Sequence, residues 1–207
     1  MIELYAAQSS NGQRAAIVLE ECGLPYRVHK LELMKGEQRT PEFLKINPAG
    51  AIPVIVDPDG PGGKPITLAQ SGAIAIYAAE KTGKFLPRDP ARRALALQWL
   101  MYAVTDCMAA SMQVFFETVL LPEKQPENLK FCEERLVRYF RVANGQLEGR
   151  EWLADELSIA DFALYPICAV RKPYIDGAGD MPHLLRWMAA ISAREGVTKA
   201  LRATSSS

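Results

Sequence analysis

Two short segments carry residue types that could bind a small polar molecule. Ile52-Pro53-Val54 reads as the start of a strand, and Gln70-Ser71 stands where a strand gives way to a helix. Because proline cannot donate to a sheet, a cis bond before Pro53 would kink the chain and leave neighbouring backbone groups open to an extended ligand. At Gln70-Ser71, open backbone amides, the hydroxyl and the helix dipole could bind a carboxylate. Capping of the helix by the serine is the alternative.

A third polar segment follows the first predicted strand. It contains Ser9, Ser10 and Asn11; Gly12 comes directly after, and Arg14 follows two residues later. Serine, asparagine and glycine favour turns and helix caps, so this segment is expected to break the strand and lead into a helix. The segment contains no cysteine.

The overall composition argues against several classes of function. The chain has 207 residues, with 24 basic and 24 acidic side chains and a pI near 6.7. Balanced charge makes nucleic acid a poor partner. The absence of an apolar run of about 18 residues argues against a membrane span, and the N-terminus does not resemble a signal peptide. These observations favour a cytoplasmic protein with no membrane partner.

Cysteine and histidine usage disfavours several kinds of chemistry. The cysteines are Cys22, Cys107, Cys132 and Cys168, which lie too far apart for a zinc knuckle or a Cys-x-x-Cys pair. They are expected to be reduced thiols in a reducing cytosol. Only two histidines are present, so a His-rich metal site is excluded by count and no metal is expected.

Hydrophobic periodicity predicts two domains. Residues 1–83 follow the order βαβ, an irregular helix, then ββα, with strands over 2–7, 26–33, 52–56 and 66–68 and helices over 13–21, 41–46 and 70–82. A proline-punctuated linker, 84–90, follows. Residues 91–207 read as all helix, with helices over 91–116, 126–147, 158–170 and 182–194. Residues 203–207 are expected to form a frayed tail.

The motifs together resemble the glutathione S-transferase family. Ile52-Pro53-Val54 before a glycine-rich hairpin, followed by Gln70-Ser71-Gly72-Ala73-Ile74, is similar to that family's glutathione-binding core. The predicted capping box Ser158-Ile159-Ala160-Asp161 resembles the family's box at the start of a buried central helix. The resemblance spans essentially the whole chain. It implies an α/β thioredoxin-like N-terminal domain with a mixed sheet and an all-α C-terminal domain.

The resemblance implies glutathione as co-substrate and no permanently bound cofactor. Ile52 would offer its backbone to the cysteinyl group, Pro53 would be cis, and Gln70 and Ser71 would hold the γ-glutamyl end. Gln38 would reach the glycyl end. Most family members carry glutamate in place of Gln70, and glutamine keeps a hydrogen bond but loses the charge. The full set expected to bind glutathione is Gln38, Ala51, Ile52, Pro53, Gln70 and Ser71.

A family member must also stabilise the glutathione thiolate, because a donor beside the sulfur lowers the thiol pKa. The spacing of Ser9 and Arg14 resembles the serine-type classes, in which the serine donates to the thiolate. Asn11-Gly12 resembles the bacterial nu class, in which an asparagine contacts the sulfur. Both assignments stay open here, with Ser9 and Asn11 expected at the sulfur and Ser10 the rival. The family's cysteine classes are disfavoured because the segment after the first strand contains no cysteine. Its tyrosine classes are disfavoured because Tyr5 lies within the predicted strand, before that segment.

The second substrate is expected between the two domains. It would be a small hydrophobic electrophile or a disulfide, against the adaptable side chains of Met101, Tyr102, Met108 and Met112. The implied activity is conjugation, as in detoxification, or glutathione-dependent disulfide or peroxide reduction, in a homodimer. The alternative is a non-catalytic binding or scaffold protein with the same fold.

Overall fold

The structure is a computed structural model that describes residues 1–205. The N-terminal half has the predicted βαβ-α-ββα order. Its elements are β1 (Ile2–Ala6), α1 (Ser10–Cys22), β2 (Tyr26–Lys30), α2 (Pro41–Ile46), β3 (Val54–Asp57), β4 (Ile66–Ala69) and α3 (Ser71–Thr82). The second strand, predicted over 26–33, ends at Lys30, and two 3-10 turns, Leu33–Lys35 and Glu37–Arg39, lead from it to α2.

The four strands form one mixed sheet in the order β2-β1-β3-β4. β1 pairs in parallel with β2 and antiparallel with β3, and β4 pairs antiparallel with β3. Leu4 lies opposite Ile55, which lies opposite Leu68. Leu4 and Ile55 are fully buried, so the central pair of strands anchors this half of the chain.

The hairpin of β3 and β4 is tied to α3 by a buried carboxylate. The Tyr77 hydroxyl and the Lys81 ammonium donate to Asp57 Oδ2 over 2.6 and 2.8 Å, and the Asp59 N–H donates to Asp57 Oδ1 over 2.9 Å. Burial raises the pKa of Asp57, but the hydrogen bonds from Lys81, Tyr77 and Asp59 outweigh it, so the pKa lies below its usual value.

The segment from residue 87 to 191 is helical. Its α-helices are α4 (Pro90–Met101), α5 (Met108–Phe115), α6 (Pro126–Gln146), α7 (Ile159–Val170), α8 (Lys172–Ala178) and α9 (Pro182–Ser192). The long helix predicted over 91–116 is present, but π-helical turns at Tyr102–Cys107 and Phe116–Leu120 follow α4 and α5. The short helix α8 was not predicted as a separate element.

The predicted capping box at the start of α7 is confirmed. Ser158 is the N-cap residue, and its N–H donates to Asp161 Oδ2 over 2.9 Å. Asp161 Oδ1 also accepts from the Leu153 N–H at 3.1 Å and from the Trp187 indole N–H at 2.9 Å. Burial raises the pKa of Asp161 despite these donors. The carboxyl group therefore joins the helix start, the preceding loop and α9.

The last helix, α10 (Glu195–Thr204), packs against α1. Residues Met1–Leu86 and the segment from Ser192 form one compact unit, and Pro87–Ile191 form the other. The sequence had grouped the whole of 91–207 together, because helical periodicity does not show which partner a helix packs on. The predicted frayed tail is wrong for residues 203 and 204, which are helical; residues 206 and 207 lie outside the described part of the chain.

Candidate active site

Ser9 caps the helix that follows the first strand. Its backbone is extended, and its hydroxyl oxygen accepts a hydrogen bond from the Gly12 N–H over 3.2 Å. A hydroxyl has one proton to donate besides its lone pairs, and within residues 1–205 no acceptor takes the Ser9 proton. Ser9 can therefore cap α1 and donate to a ligand at the same time. Ser10, the rival candidate, is 6% exposed.

The start of α1 lies unusually close to the end of β1. A Cβ atom at Gly12 would stand 2.2 Å from the Ala7 carbonyl oxygen, so only glycine fits there. This close approach fixes the turn between β1 and α1. As a result, Ser9 and Asn11 are held at the carboxyl end of the strand.

The side chain of Asn11 is oriented by a buried arginine. Arg14 is fully buried, and its Nη1 donates to Asn11 Oδ1 over 2.8 Å and to Ser71 Oγ over 2.7 Å. The Ser71 hydroxyl in turn donates to Asn11 Oδ1 over 3.3 Å. Since both bonds end on the amide oxygen, the Asn11 NH₂ group is left as a donor, and no acceptor takes it in the described part of the chain.

The start of α3 is open rather than capped. Gln70 occupies the N-cap position with φ of 73° and ψ of 114°, and its side chain makes no capping bond. A positive φ at a residue other than glycine or asparagine is a strained conformation of the kind found at binding sites. Ser71 is the first helical residue, so the alternative in which it caps the helix is wrong. Its hydroxyl contacts Arg14 instead, which leaves backbone N–H groups of the first turn for an anion.

The predicted cis bond between Ile52 and Pro53 is confirmed. Both residues precede β3, so Ile52 lies outside the paired register of the sheet. The loop before it is fixed by Asn47, whose amide donates to the Ala51 carbonyl over 2.7 Å and accepts from the Ala49 N–H over 3.2 Å. Ala51 is exposed and Ile52 is half-buried.

Gln38 carries an unused hydrogen-bonding group. It lies in the 3-10 turn Glu37–Arg39, and its Oε1 is buried without a hydrogen-bond partner among the residues that the structure describes. A buried polar atom without a partner is costly, which points to a ligand or a water in the complete site. Its main chain lies near Gly50, one residue before Ala51.

The residues expected at the second substrate lie on α4, α5 and the π turn between them. Met101 is 42% exposed, and Met108 and Met112 are half-buried. The Tyr102 hydroxyl donates to the Tyr139 carbonyl over 2.9 Å, and burial raises its pKa. Tyr102 is thus bonded within the helical unit, and the role of these four residues stays a prediction.

All four cysteines are buried, and none is in a disulfide. Burial raises the pKa of the Cys22 thiol and, more strongly, that of Cys168. Both side chains are therefore thiols at neutral pH, whereas the reactive form of cysteine is the thiolate. Within residues 1–205, no group of three or more histidine, cysteine or acidic side chains could hold a metal ion. No described helix is long and apolar enough to cross a membrane.

Comparison with known proteins identifies the family. Residues 8–81 match the family model for the glutathione S-transferase N-terminal domain, and residues 107–195 match that for the C-terminal domain. The chain belongs to the glutathione S-transferase family. It is 39% identical to the disulfide-bond oxidoreductase YfcG of Escherichia coli, over 97% of this chain and 94% of that protein. It is 32% identical to glutathione S-transferase F10 of Arabidopsis thaliana, over 94% and 93% of the two chains.

A solved structure gives the same result. A glutathione transferase from Pseudomonas putida, crystallised with one glutathione disulfide per subunit, superposes with a TM-score of 0.91. That protein is 35% identical to this one, and the match covers 97% of this chain and 90% of the other. The thioredoxin-like and all-helical architecture predicted from the sequence is therefore confirmed for this glutathione S-transferase.

The role of Arg14 in this glutathione S-transferase was not predicted from the sequence. Arg14 marked the end of a serine-type pattern, but its contacts were not predicted. The local signal was its position three residues after Asn11, since side chains at that spacing share a helix face. Its contact with Ser71, which lies 57 residues away, had no signal in the sequence.

Proposed function

We propose that this protein activates glutathione as a thiolate and uses it to reduce small disulfides. The observation that carries the proposal is the pair of oriented donors at the start of α1. The Ser9 hydroxyl accepts from Gly12 through a lone pair, so its proton is still available to donate, and the Asn11 NH₂ group faces away from Arg14 and Ser71. Two donors at the sulfur stabilise the thiolate and lower the thiol pKa.

The remaining predicted residues would hold the rest of the glutathione molecule. Ile52, outside the sheet register next to Pro53, would pair its backbone with the cysteinyl group, with Ala51 beside it. The open start of α3 would bind the γ-glutamyl carboxylate through backbone N–H groups, assisted by the Gln70 side chain. The side-chain amide of Gln38 would bind the glycyl end.

The reaction balances without a protein thiol. The glutathione thiolate attacks one sulfur of the substrate disulfide, a new sulfur–sulfur bond forms, and the other sulfur leaves as a thiolate that takes up a proton. A second glutathione thiolate then attacks the mixed disulfide and releases glutathione disulfide. Two glutathione molecules are oxidised and one disulfide is reduced. The burial of all four cysteines fits this scheme, in which glutathione supplies every electron.

We place disulfide reduction before conjugation because of what the similar proteins are named and what they bind. The Escherichia coli relative at 39% identity is named a disulfide-bond oxidoreductase, and the Pseudomonas putida structure contains glutathione disulfide. A contact between Asn11 and the sulfur would also assign the protein to the nu class, which the sequence resembles.

Conjugation to a hydrophobic electrophile is the second candidate. It is supported by the Ser9 hydroxyl and by the Arabidopsis relative, which is named a glutathione S-transferase. In either reaction Met101, Tyr102, Met108 and Met112 would contact the second substrate. We further propose a cytoplasmic homodimer, by analogy with the family and because buried reduced thiols suit a reducing compartment.

The test is a paired assay with glutathione. One reaction contains hydroxyethyl disulfide with coupled glutathione reductase, and the other a chlorinated aromatic acceptor. We expect disulfide turnover to exceed conjugation, and Asn11→Ala to lower its kcat/KM by about a hundredfold, within the range for loss of one preorganised donor. Conjugation that dominates and is lost in Ser9→Ala would favour the second candidate.

Two controls complete the test. Treatment with iodoacetamide before glutathione is added should leave disulfide turnover intact, because the cysteines are buried. Inactivation by that treatment would contradict a mechanism without a protein thiol. If neither reaction shows turnover while glutathione still binds, the protein is a non-catalytic binding protein.

A further inference from the structure

A groove lies within the helical unit. It has a volume of about 420 Å³ and is formed by the π turn Phe116–Leu120, the residue after it, and the first part of α6. Small-molecule sites in proteins typically have volumes of about 300–1,000 Å³. We call it the 116–132 groove, after the first and the last residue that these segments contribute to its lining.

The walls of the 116–132 groove expose large apolar side chains. Phe116 is 44% exposed, Leu121 is 42% exposed, and Phe131 is 59% exposed. Val119 and Leu120, on the same π turn, are also more than 40% exposed. Contiguous apolar surface of this kind marks an interaction site rather than ordinary solvent-facing structure.

One wall of this apolar groove carries a buried carboxylate oxygen. Glu117 Oε2 is shielded from solvent, and no group in residues 1–205 donates a hydrogen bond to it. No cation of the described residues lies within 4 Å of the carboxylate. The Cys132 thiol lines the same groove, and burial and then the Glu117 charge raise its pKa.

Cationic side chains of the same region are engaged elsewhere. The Lys124 ammonium donates to the carbonyl oxygens of Thr118 and Leu121 over 3.0 and 2.8 Å, so it closes the end of the π turn. The Arg135 guanidinium donates to Gln113 Oε1 over 3.2 Å and stands 5.7 Å from the centre of the Tyr139 ring. The charge of Glu117 is therefore left for a group from outside the chain.

We propose that the 116–132 groove binds hydrophobic organic cations, with an ammonium group hydrogen-bonded to Glu117 and an aromatic body against Phe116 and Phe131. A buried carboxylate without a partner is costly, and an incoming cation relieves that cost while it gains a charge-assisted hydrogen bond. The aromatic walls add apolar contact and a favourable interaction with positive charge. An anionic ligand would meet repulsion from Glu117, and a neutral one would leave the carboxylate without its ion pair.

Binding is measured by titration calorimetry and saturation-transfer NMR on the full-length protein. The probe is 2-phenylethylammonium, and the matched ligands are the neutral 2-phenylethanol and the anionic 3-phenylpropionate. We expect saturable binding of the cation that is at least about tenfold tighter than that of the alcohol, and no binding of the carboxylate. Equal affinity for the cation and the alcohol would overturn the proposal.

Variants locate the site. Glu117→Gln keeps the shape of the side chain and removes the buried charge, so it should fold and should weaken cation binding about tenfold, to the level of the alcohol. Glu123→Gln changes an exposed glutamate in the loop between the two segments that form the groove; it is the matched control and should bind like the wild type. Phe131→Ala should weaken the cation and the alcohol together.

Three results would contradict this assignment. They are unchanged cation binding in Glu117→Gln, competition between the probe and glutathione, and a change of oligomeric state in Phe131→Ala by sedimentation. The second would assign the probe to the glutathione site. The third would make the groove a contact with a second copy of the chain.

Discussion

Arg14 decides which face of the Asn11 amide is available. A guanidinium can only donate, so the atom of Asn11 that meets Arg14 Nη1 must be the oxygen, and the NH₂ group must point away. The same nitrogen donates to Ser71 Oγ, so one buried cation connects the segments proposed to bind the sulfur and the γ-glutamyl carboxylate. In the proposed site Arg14 would be a positioning residue, because it would act on glutathione only through Asn11 and Ser71.

Substitution of Arg14 tests this role. Arg14→Met keeps much of the volume but frees the Asn11 amide to turn, so we expect kcat/KM for disulfide reduction to fall about tenfold or more. Arg14→Lys keeps the charge without the planar fork and should recover part of the loss. The pH profile of kcat/KM should shift upward in Arg14→Met, since the thiolate loses a positioned donor.

Folding is the control for this prediction. A buried arginine also supports packing, so melting and circular dichroism accompany each rate. Arg27→Met, which removes a mostly exposed arginine on β2, should change neither rate nor profile. An Arg14→Met protein that folds and keeps the wild-type pH profile would show that Asn11 is oriented without Arg14.

The sequence allows the polar residues around a turn to be predicted as candidate site residues. It does not allow their geometry to be predicted. Ser9 and Asn11 were identified from residue type and position after a strand. The strained φ of Gln70 and the contact between Arg14 and Ser71 depend on how α1 and α3 pack, and a local pattern carries no information about that. The cis bond at Pro53 was predicted because proline disrupts a strand and the family motif was present.

At the scale of elements, the strands and long helices follow from periodicity. The alternation that buries Ile2 and Leu4 predicts β1, and the capping box predicts the start of α7 to within a residue. The π turns were not predicted, since they share the apolar pattern of the α-helix around them. The short helix α8 was missed because seven residues give too little periodicity to detect.

The carboxylate between β3 and α3 gives a prediction on pH and stability. The pKa of Asp57 is lowered in the folded state, so its stabilising effect is full above the unfolded pKa of about 3.9 and is lost as pH falls through the lower folded pKa. Asp57→Asn should reduce the free energy of unfolding at neutral pH by about 2 kcal/mol, because hydrogen bonds to a charged group are weakened. The difference from wild type should shrink below about pH 4.

Urea unfolding of both proteins at neutral and at acid pH measures this difference. Asp59→Asn is the matched control, since its carboxylate is 85% exposed and 3.9 Å from the same ammonium. It should change the unfolding free energy by less than about 0.5 kcal/mol. A difference between wild type and Asp57→Asn that stays constant down to acid pH would mean that the Asp57 charge does not stabilise this hairpin.

At the scale of the whole molecule, both ends of the chain belong to one folded unit. α10 packs on α1, and Val197 and Ala200 of α10 are fully buried. Gly196 permits the approach, since a Cβ atom there would stand 2.8 Å from Glu21 Oε1. The helix that carries Ser9 and Asn11 at its start therefore depends on α10 for part of its packing.

Removal of the ion pair between Glu21 and Arg194 tests how far α1 depends on α10. Arg194 donates to both Glu21 oxygens, over 3.0 and 2.6 Å, and the Glu21 side chain is only 6% exposed. Arg194→Met leaves a buried carboxylate without this partner, so we expect a loss of about 2 kcal/mol in unfolding free energy, or about 4–8 °C in Tm. Glu21→Gln with Arg194→Met should recover part of the loss, because no buried charge then remains.

Arg202→Met, an exposed position on the same helix, is the control and should melt like the wild type. Because α1 carries Ser9 and Asn11, weaker attachment of α10 should also raise the dissociation constant for glutathione near the melting temperature but not at low temperature, where the unit is still fully folded. If Arg194→Met lowers glutathione affinity equally at all temperatures, α10 affects the site directly and not through the stability of the unit. If neither melting nor affinity changes, the two chain ends fold independently.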